Sequence, residues 1–264
     1  MTTRLLLLTT SAFVLAGELC AQQQPGFFQS MSCIKVLPGK FGEYRQFAVD
    51  TTAKLMQTRI DAGEAATWTL LRAVSPAGSE ARCDYMSSTI YEGAPGEPQG
   101  RPGLEKALQK ADMKMTAGDY IAKLDSLSRL VSTEIWNLRI REGQPQKGNY
   151  VFLNYMKVHN TPEYIKFENE VWRPLAAQWI KEGAQSGWIF ATAVLPGGTD
   201  LKYSAYSADI YPNWKATFQT RNTAEIFKKA HPGKDAQETM ANLGKLRDLA
   251  RRELLVIEER ISKK

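Results

Sequence analysis

The sequence predicts an α+β protein in which one βαββαβ module occurs twice, with the two copies closing on each other as an intrachain α/β barrel. Three observations carry this. The chain matches itself over a long gapless stretch, each copy runs through strand and helix patterns in the same order, and the strands hold more large apolar residues than one sheet face can bury.

The self-match runs from Glu43–Gly93 against Glu163–Asn213, an offset of 120. Its coinciding residues are structural types: Tyr44/Tyr164, Phe47/Phe167, Leu55/Leu175, Ile60/Ile180, Trp68/Trp188, Ser87/Ser207 and Tyr91/Tyr211. After a one-residue slip the match resumes, pairing Leu124, Leu127, Leu130 and Glu134 with Leu243, Leu246, Leu249 and Glu253. Such regular recurrence marks a duplication.

Each copy opens with a short strand, Met31–Val36 and Tyr150–Val158. A long helix follows, its apolar positions recurring at helical spacing in Tyr164, Phe167, Val171, Leu175 and Trp179. Gly63 and Gly183 stand where a helix ends on a left-handed residue, and Asn160 or Thr161, followed by Pro162, reads as a helix start. Next come two strands, Thr67–Val74 and Cys83–Tyr91, repeated as Gly187–Val194 and Tyr203–Tyr211. A more broken helical region leads to the last strands, Ser132–Arg141 and Arg252–Ile261. This order is the ferredoxin-like pattern.

A sheet of that kind carries its helices on one face, so its bare face must be covered. Trp68, Leu70, Tyr85, Trp136, Leu138, Trp188, Phe190, Tyr206, Leu255 and Ile257 are more than the helix side alone needs. Packing the two bare faces together buries them. The modules then span 31–141 and 150–262, with a Pro/Gly-rich loop at Glu92–Gly103 and a polar linker at 142–149.

Residues 1–21 read as a signal peptide: Arg4, the apolar run Leu5–Ala16, and Leu19-Cys20-Ala21. That run is too short for the ~20 residues that span a bilayer, so the chain is expected to be secreted or periplasmic with no lasting membrane insertion. The net charge of +6 is spread through helices that also hold acids, as in Arg247, Asp248, Arg251, Arg252 and Glu253, a pattern that reads as a solvated surface. Nucleic acid is not an expected partner. Cys33 and Cys83 fall in the first and third strands, neighbours in a ferredoxin-like sheet, so they are either a disulfide or two separate buried thiols.

By element order and aromatic placement, residues 31–262 resemble the dimeric α/β-barrel superfamily, which includes the antibiotic-biosynthesis-monooxygenase-like proteins, with both halves in one polypeptide. Members include cofactor-free monooxygenases, haem-degrading enzymes, haem peroxidase relatives, isomerases and ligand binders, so the resemblance implies a fold and not a reaction. The run Trp214, Phe218, Arg221, Phe227, Lys228, Lys229, Ala230, His231 is similar to the haem-degrading members, where a helix ends in Ala-His and the His is the axial ligand. The same resemblance implies that Asn154 orients haem-bound oxygen, and Arg221 could pair with a propionate. The chain departs from that pattern in carrying Arg221 where those members have a Trp, and in placing Pro232-Gly233 directly after His231.

Two histidines, His159 and His231, and no CxxC leave no metal-binding cluster to expect. Glu134 and Glu253 begin equivalent strands, where a pseudo-twofold barrel would bring them together as paired carboxylates. Three functional readings follow. A small apolar molecule binds in a lumen between the modules; or haem binds through His231 and Asn154, with no cofactor otherwise established; or the lumen is filled and the protein acts through its outer surface.

Overall fold

The structure, a computed structural model, describes residues 26–97, 100–220 and 222–263. The stretch read as a signal peptide and Arg221 lie outside these residues.

The first module is β1 (Phe27–Val36), α1 (Phe41–Phe47), α2 (Ala53–Asp61), β2 (Thr67–Ser75), β3 (Tyr85–Glu92), α3 (Gly100–Lys110), α4 (Ala117–Leu127) and β4 (Ser128–Gly143). The second is β5 (Tyr150–Val158), α5 (Thr161–Phe167), α6 (Arg173–Lys181), β6 (Gly187–Leu195), β7 (Ala205–Tyr211), α7 (Trp214–Phe218), α8 (Thr223–Ala230), α9 (Ala236–Leu246) and β8 (Arg247–Ser262). In each module the first two helices run on as one through a π-helical turn, Ala48–Thr52 and Glu168–Trp172. Gly63 and Gly183 end these helices at φ 75° and 73°, a conformation that costs a residue with a Cβ. The Asn160 side chain caps α5 by accepting from the Glu163 N–H at 3.3 Å, with Pro162 in the first turn.

The eight strands close in the order β1-β3-β2-β8-β5-β7-β6-β4, with β4 pairing back to β1. Every pairing is antiparallel, and the modules meet along β2–β8 and β4–β6. Closure leaves no open sheet edge, so the paired halves are one hydrogen-bonded unit. No helix among the described residues is long and apolar enough to cross a membrane.

β4 and β8 begin earlier than their alternation predicts, at Ser128 and Arg247. Their first residues stay paired with β1 and β5 across register shifts after Cys33 and Tyr155, and a bulge hides a strand's period. Arg247–Glu253 is therefore strand and not helix, with Asp248 and Arg252 exposed and Glu253 buried. The loop expected to run to Gly103 gives way to α3 at Gly100.

The barrel interior is filled. Met31, Met86, Trp136, Tyr155, Tyr206 and Leu255 converge there, none more than 5% exposed. Trp136 packs edge-on to Tyr206 at 4.9 Å between ring centres and stacks on Tyr203 at 6.1 Å. Gln29 bridges the remaining polar groups, donating to Ser88 Oγ at 2.6 Å and accepting from the Tyr206 hydroxyl. Side chains around an open cavity keep surface that water can reach, and these do not, so the expected ligand lumen between the modules is corrected to a packed core. Trp68 and Trp188 lie on the other face of the sheet, under the helices. Cys33 and Cys83 are joined as a disulfide at one end of the barrel, with Cα atoms 5.2 Å apart.

Candidate functional site

With the lumen filled, the open space lies outside the barrel wall. In the second module a cavity of about 330 Å³ sits between the outer face of the sheet and the helices. Outward-facing positions of β5, β6, β7 and β8 contribute Asn154, Trp188, Ser207, Asp209, Arg247 and Arg252. The π-helical turn contributes Glu168 and Trp172, and the flanking helices add Tyr164 and Trp179. Extra-residue turns of this kind commonly occur at functional sites because they push side chains out of the helical register.

One wall is a polar network. Asn154 Nδ2 donates to Asp209 Oδ2 at 2.9 Å and to Ser207 Oγ at 3.2 Å, while Arg252 Nε donates to Asn154 Oδ1 at 2.5 Å. Arg252 also lies over the Phe152 ring at 5.6 Å. These bonds fix the orientation of Asn154, and the side chain is 5% exposed. The rest of the lining is largely aromatic: Tyr164, Trp172 and Trp179 from the helical side, Trp188 and Tyr211 from the sheet.

Two buried atoms that line this cavity, Trp179 Nε1 and Gln185 Oε1, have no hydrogen-bond partner, and Tyr164, Glu168 and Arg247 lie beside them as a buried polar cluster. Each such group costs about 1–3 kcal/mol unless something meets it. Burial raises the Glu168 carboxyl to about 8, with Tyr164 and Arg247 pulling it partly back and Asp209 pushing it up. At neutral pH Glu168 is therefore mostly a neutral acid that can donate a proton. Burial also raises the Tyr164 phenol, which stays protonated.

This has a stability consequence. The folded chain holds a proton on Glu168 up to about 8, whereas an unperturbed carboxyl releases it near 4.5. Its contribution is full below the lower value and is lost as pH rises through the upper one. Thermal melts from about pH 5 to about pH 9 should show wild type losing stability with rising pH. Glu168→Gln, which stays neutral, should flatten that slope, and parallel curves would contradict the assignment.

The first module has a matching cavity of about 360 Å³, lined by Ser32, Tyr44, Ala48, Thr52, Trp68 and Ser87 among others. The internal alignment places Ala48 opposite Glu168, Thr52 opposite Trp172, Ser128 opposite Arg247 and Thr89 opposite Asp209. Among the described residues, none of the unpaired buried atoms lines it. The duplication preserved the space, and the first copy lines it with Asp125 as its one charged residue among those described, whereas the second adds Glu168, Asp209, Arg247 and Arg252.

The residues singled out from sequence are dispersed. Asn154 lines the second-module cavity, whereas His231 does not. The His231 ring is buried after α8, its Nε2 lying 2.9 Å from the Val171 carbonyl oxygen, a group within the π-helical turn. Trp214 is about half exposed on α7, edge-on to Tyr150 and Phe218. His159 is exposed at the strand-to-helix corner, 3.3 Å from Asp248. Glu134 and Glu253 are both buried at one end of the barrel around Arg82. Arg82 lies 3.2 Å from Glu134, and Arg251 lies 2.5 Å from Glu253.

Sequence reasoning missed Glu168, Asp209, Trp179, Gln185, Arg247 and Arg252. A signal for the first two was present: within the gapless match they replace Ala48 and Thr89.

Neither a protein-family model nor a curated protein sequence matches the chain. Solved structures do. A candidate monooxygenase from Lactobacillus acidophilus NCFM is similar at TM-score 0.53 and 13% identity, covering 90% of this chain and 96% of that one. A candidate monooxygenase from Fusobacterium nucleatum is similar at TM-score 0.52 and 10% identity, covering 90% and 95%. At such identities the likeness concerns the backbone path and leaves the chemistry to the site. With its closed eight-stranded sheet and paired βαββαβ modules, this chain has the fold of the dimeric α/β-barrel superfamily, both halves supplied by one polypeptide.

Proposed function

We propose that the protein is an exported small-molecule-binding barrel. Its second-module cavity takes a planar aromatic compound with carbonyl or hydroxyl oxygens on its edge. The observation that carries this is the buried polar cluster of Tyr164, Glu168 and Arg247 beside the unpartnered Trp179 Nε1 and Gln185 Oε1, in a cavity walled by aromatic rings. Rings favour a flat partner, with offset or edge contacts each worth about 0.5–1.5 kcal/mol. Arg247, the Trp179 indole, the Tyr164 hydroxyl and neutral Glu168 are hydrogen-bond donors, so the ligand must mainly accept. Gln185 Oε1 is the complementary acceptor. In this reading Glu168 is the group that exchanges a proton with a ligand oxygen. Export is supported by the Cys33–Cys83 bond, since disulfides persist in oxidising compartments.

The residues present do not fit a haem held by His231. Its Nε2 is engaged by the Val171 carbonyl, away from the cavity. Of the side chains that ordinarily ligate haem iron, the described lining offers only Tyr164 and Tyr211, and the Tyr164 phenol is held protonated.

Titration with 5-hydroxy-1,4-naphthoquinone tests the proposal. Saturable one-site binding is expected, weakened about tenfold or more by Glu168→Leu and left intact by Thr52→Leu in the first-module cavity. Absence of saturation, or equal binding by Glu168→Leu, would overturn it. In a parallel haem titration, a histidine-type Soret band removed by His231→Ala would restore the haem reading.

A further inference from the structure

The polar cluster at the end of the barrel is separate from the second-module cavity and faces a space of its own. A cavity of about 220 Å³ opens there between β4 and the turn joining β6 to β7. Ala193, Leu195, Pro196 and Leu201 make its walls together with the rings of Trp136 and Tyr203. Its polar end is Glu134, whose side chain is 10% exposed.

Glu134 is only half satisfied. Its Oε1 accepts from Arg82 Nη1 at 3.2 Å and from the Tyr203 hydroxyl at 2.6 Å, while Oε2 has no partner. Trp136, two residues along the same face of β4 and 1% exposed, has an unpartnered indole N–H. The cavity therefore presents one buried acceptor and one buried donor within an apolar enclosure, each costly if left unmet.

Charge decides what can meet them. Glu134 is paired with Arg82 and Glu253 with Arg251, so two carboxylates face two guanidiniums and the cluster is neutral. The rim residues Asp200 and Lys202 are also opposite in sign. An added ammonium would be an uncompensated cation near Arg82, and an added carboxylate would face Glu134 Oε2. Burying either charge unpaired is expensive. A hydroxyl group adds no charge and supplies both missing partners from one oxygen.

We propose that the barrel mouth binds a small neutral hydroxy compound. Its O–H donates to Glu134 Oε2, its oxygen accepts from Trp136 Nε1, and its hydrocarbon part lies against Ala193, Leu195, Pro196 and Leu201. The volume falls below the ~300–1,000 Å³ of sites for drug-sized ligands, so the occupant is a fragment-sized alcohol or phenol.

The test is a titration of the ¹⁵N-labelled protein with 1-hexanol, following the Trp136 indole N–H resonance, assigned by its absence from Trp136→Phe. A saturable shift is expected. Hexylammonium and hexanoate, with the same hydrocarbon, should bind about tenfold or more weakly. Ala193→Leu, which adds bulk to the cavity wall and leaves Glu134 and Trp136 in place, should lose binding by a similar factor. No saturable shift with hexanol, or equal binding of either ion, overturns the proposal. The charge series uses the wild-type protein and reads out whatever the variant does. Because its probe and reporter belong to the barrel mouth, its outcome is independent of the quinone titration.

Discussion

Replacing Cys33 and Cys83 together by alanine is expected to destabilise the protein by about 4 kcal/mol. The bond closes a loop between residues 50 apart in sequence, and cross-linking a loop of that length removes about 4 kcal/mol of chain entropy from the unfolded state. At about 2–4 °C per kcal/mol for a chain of this size, the melting temperature should drop by roughly 8–16 °C. The loop runs from β1 through the first helix and β2 to the approach to β3, so it encloses the first half of the first module. The second module has Tyr155 and Tyr203 at the aligned positions, rings 4.5 Å apart, and relies on packing there. Thermal melts of oxidised wild type and the double variant measure the difference. A shift under about 2 °C would mean that the unfolded chain is already compact in this region.

Trp136→Ala should cost about 3–5 kcal/mol, the usual range for deleting a fully buried large aromatic. Trp136 touches Tyr155 of β5, Tyr206 of β7 and Tyr203 of the turn before β7, all in the other module, so its loss also loosens the contact between modules. Urea unfolding measures it. The same experiment separates a packed interior from an open one: a lumen with room for a ligand would already hold water against this ring, and truncation would then cost under about 1.5 kcal/mol.

How much of this was legible in the sequence depends on which interaction set each feature. The duplication, the element order and the closed barrel follow from periodicity and repetition, local signals a linear string carries well. Gly63, Gly183 and Asn160 were readable because cap geometry selects residue type directly. The filled lumen was not readable, since alternation shows which residues face inward but not whether their volumes fill the space. His231 shows a further limit. The resemblance brought it forward by its position after Ala230, whereas its partner, the Val171 carbonyl in the π-helical turn, is 60 residues distant. Glu168 is the opposite case. It stood in the aligned stretch against Ala48, and substitution of a buried alanine by a carboxylate is a departure that a comparison of copies exposes.

Closing the barrel within one polypeptide has a consequence for how such a site can arise. In a barrel assembled from two identical subunits, any mutation appears in both halves, so an acid buried for its chemistry imposes its desolvation penalty twice. Fusion unlinks the halves. Here Glu168, 2% exposed, is set against Ala48 in the sister cavity, and the penalty falls once. The first module is left free to supply rigidity through its disulfide while the second-module cavity keeps a buried acid that its sister lacks.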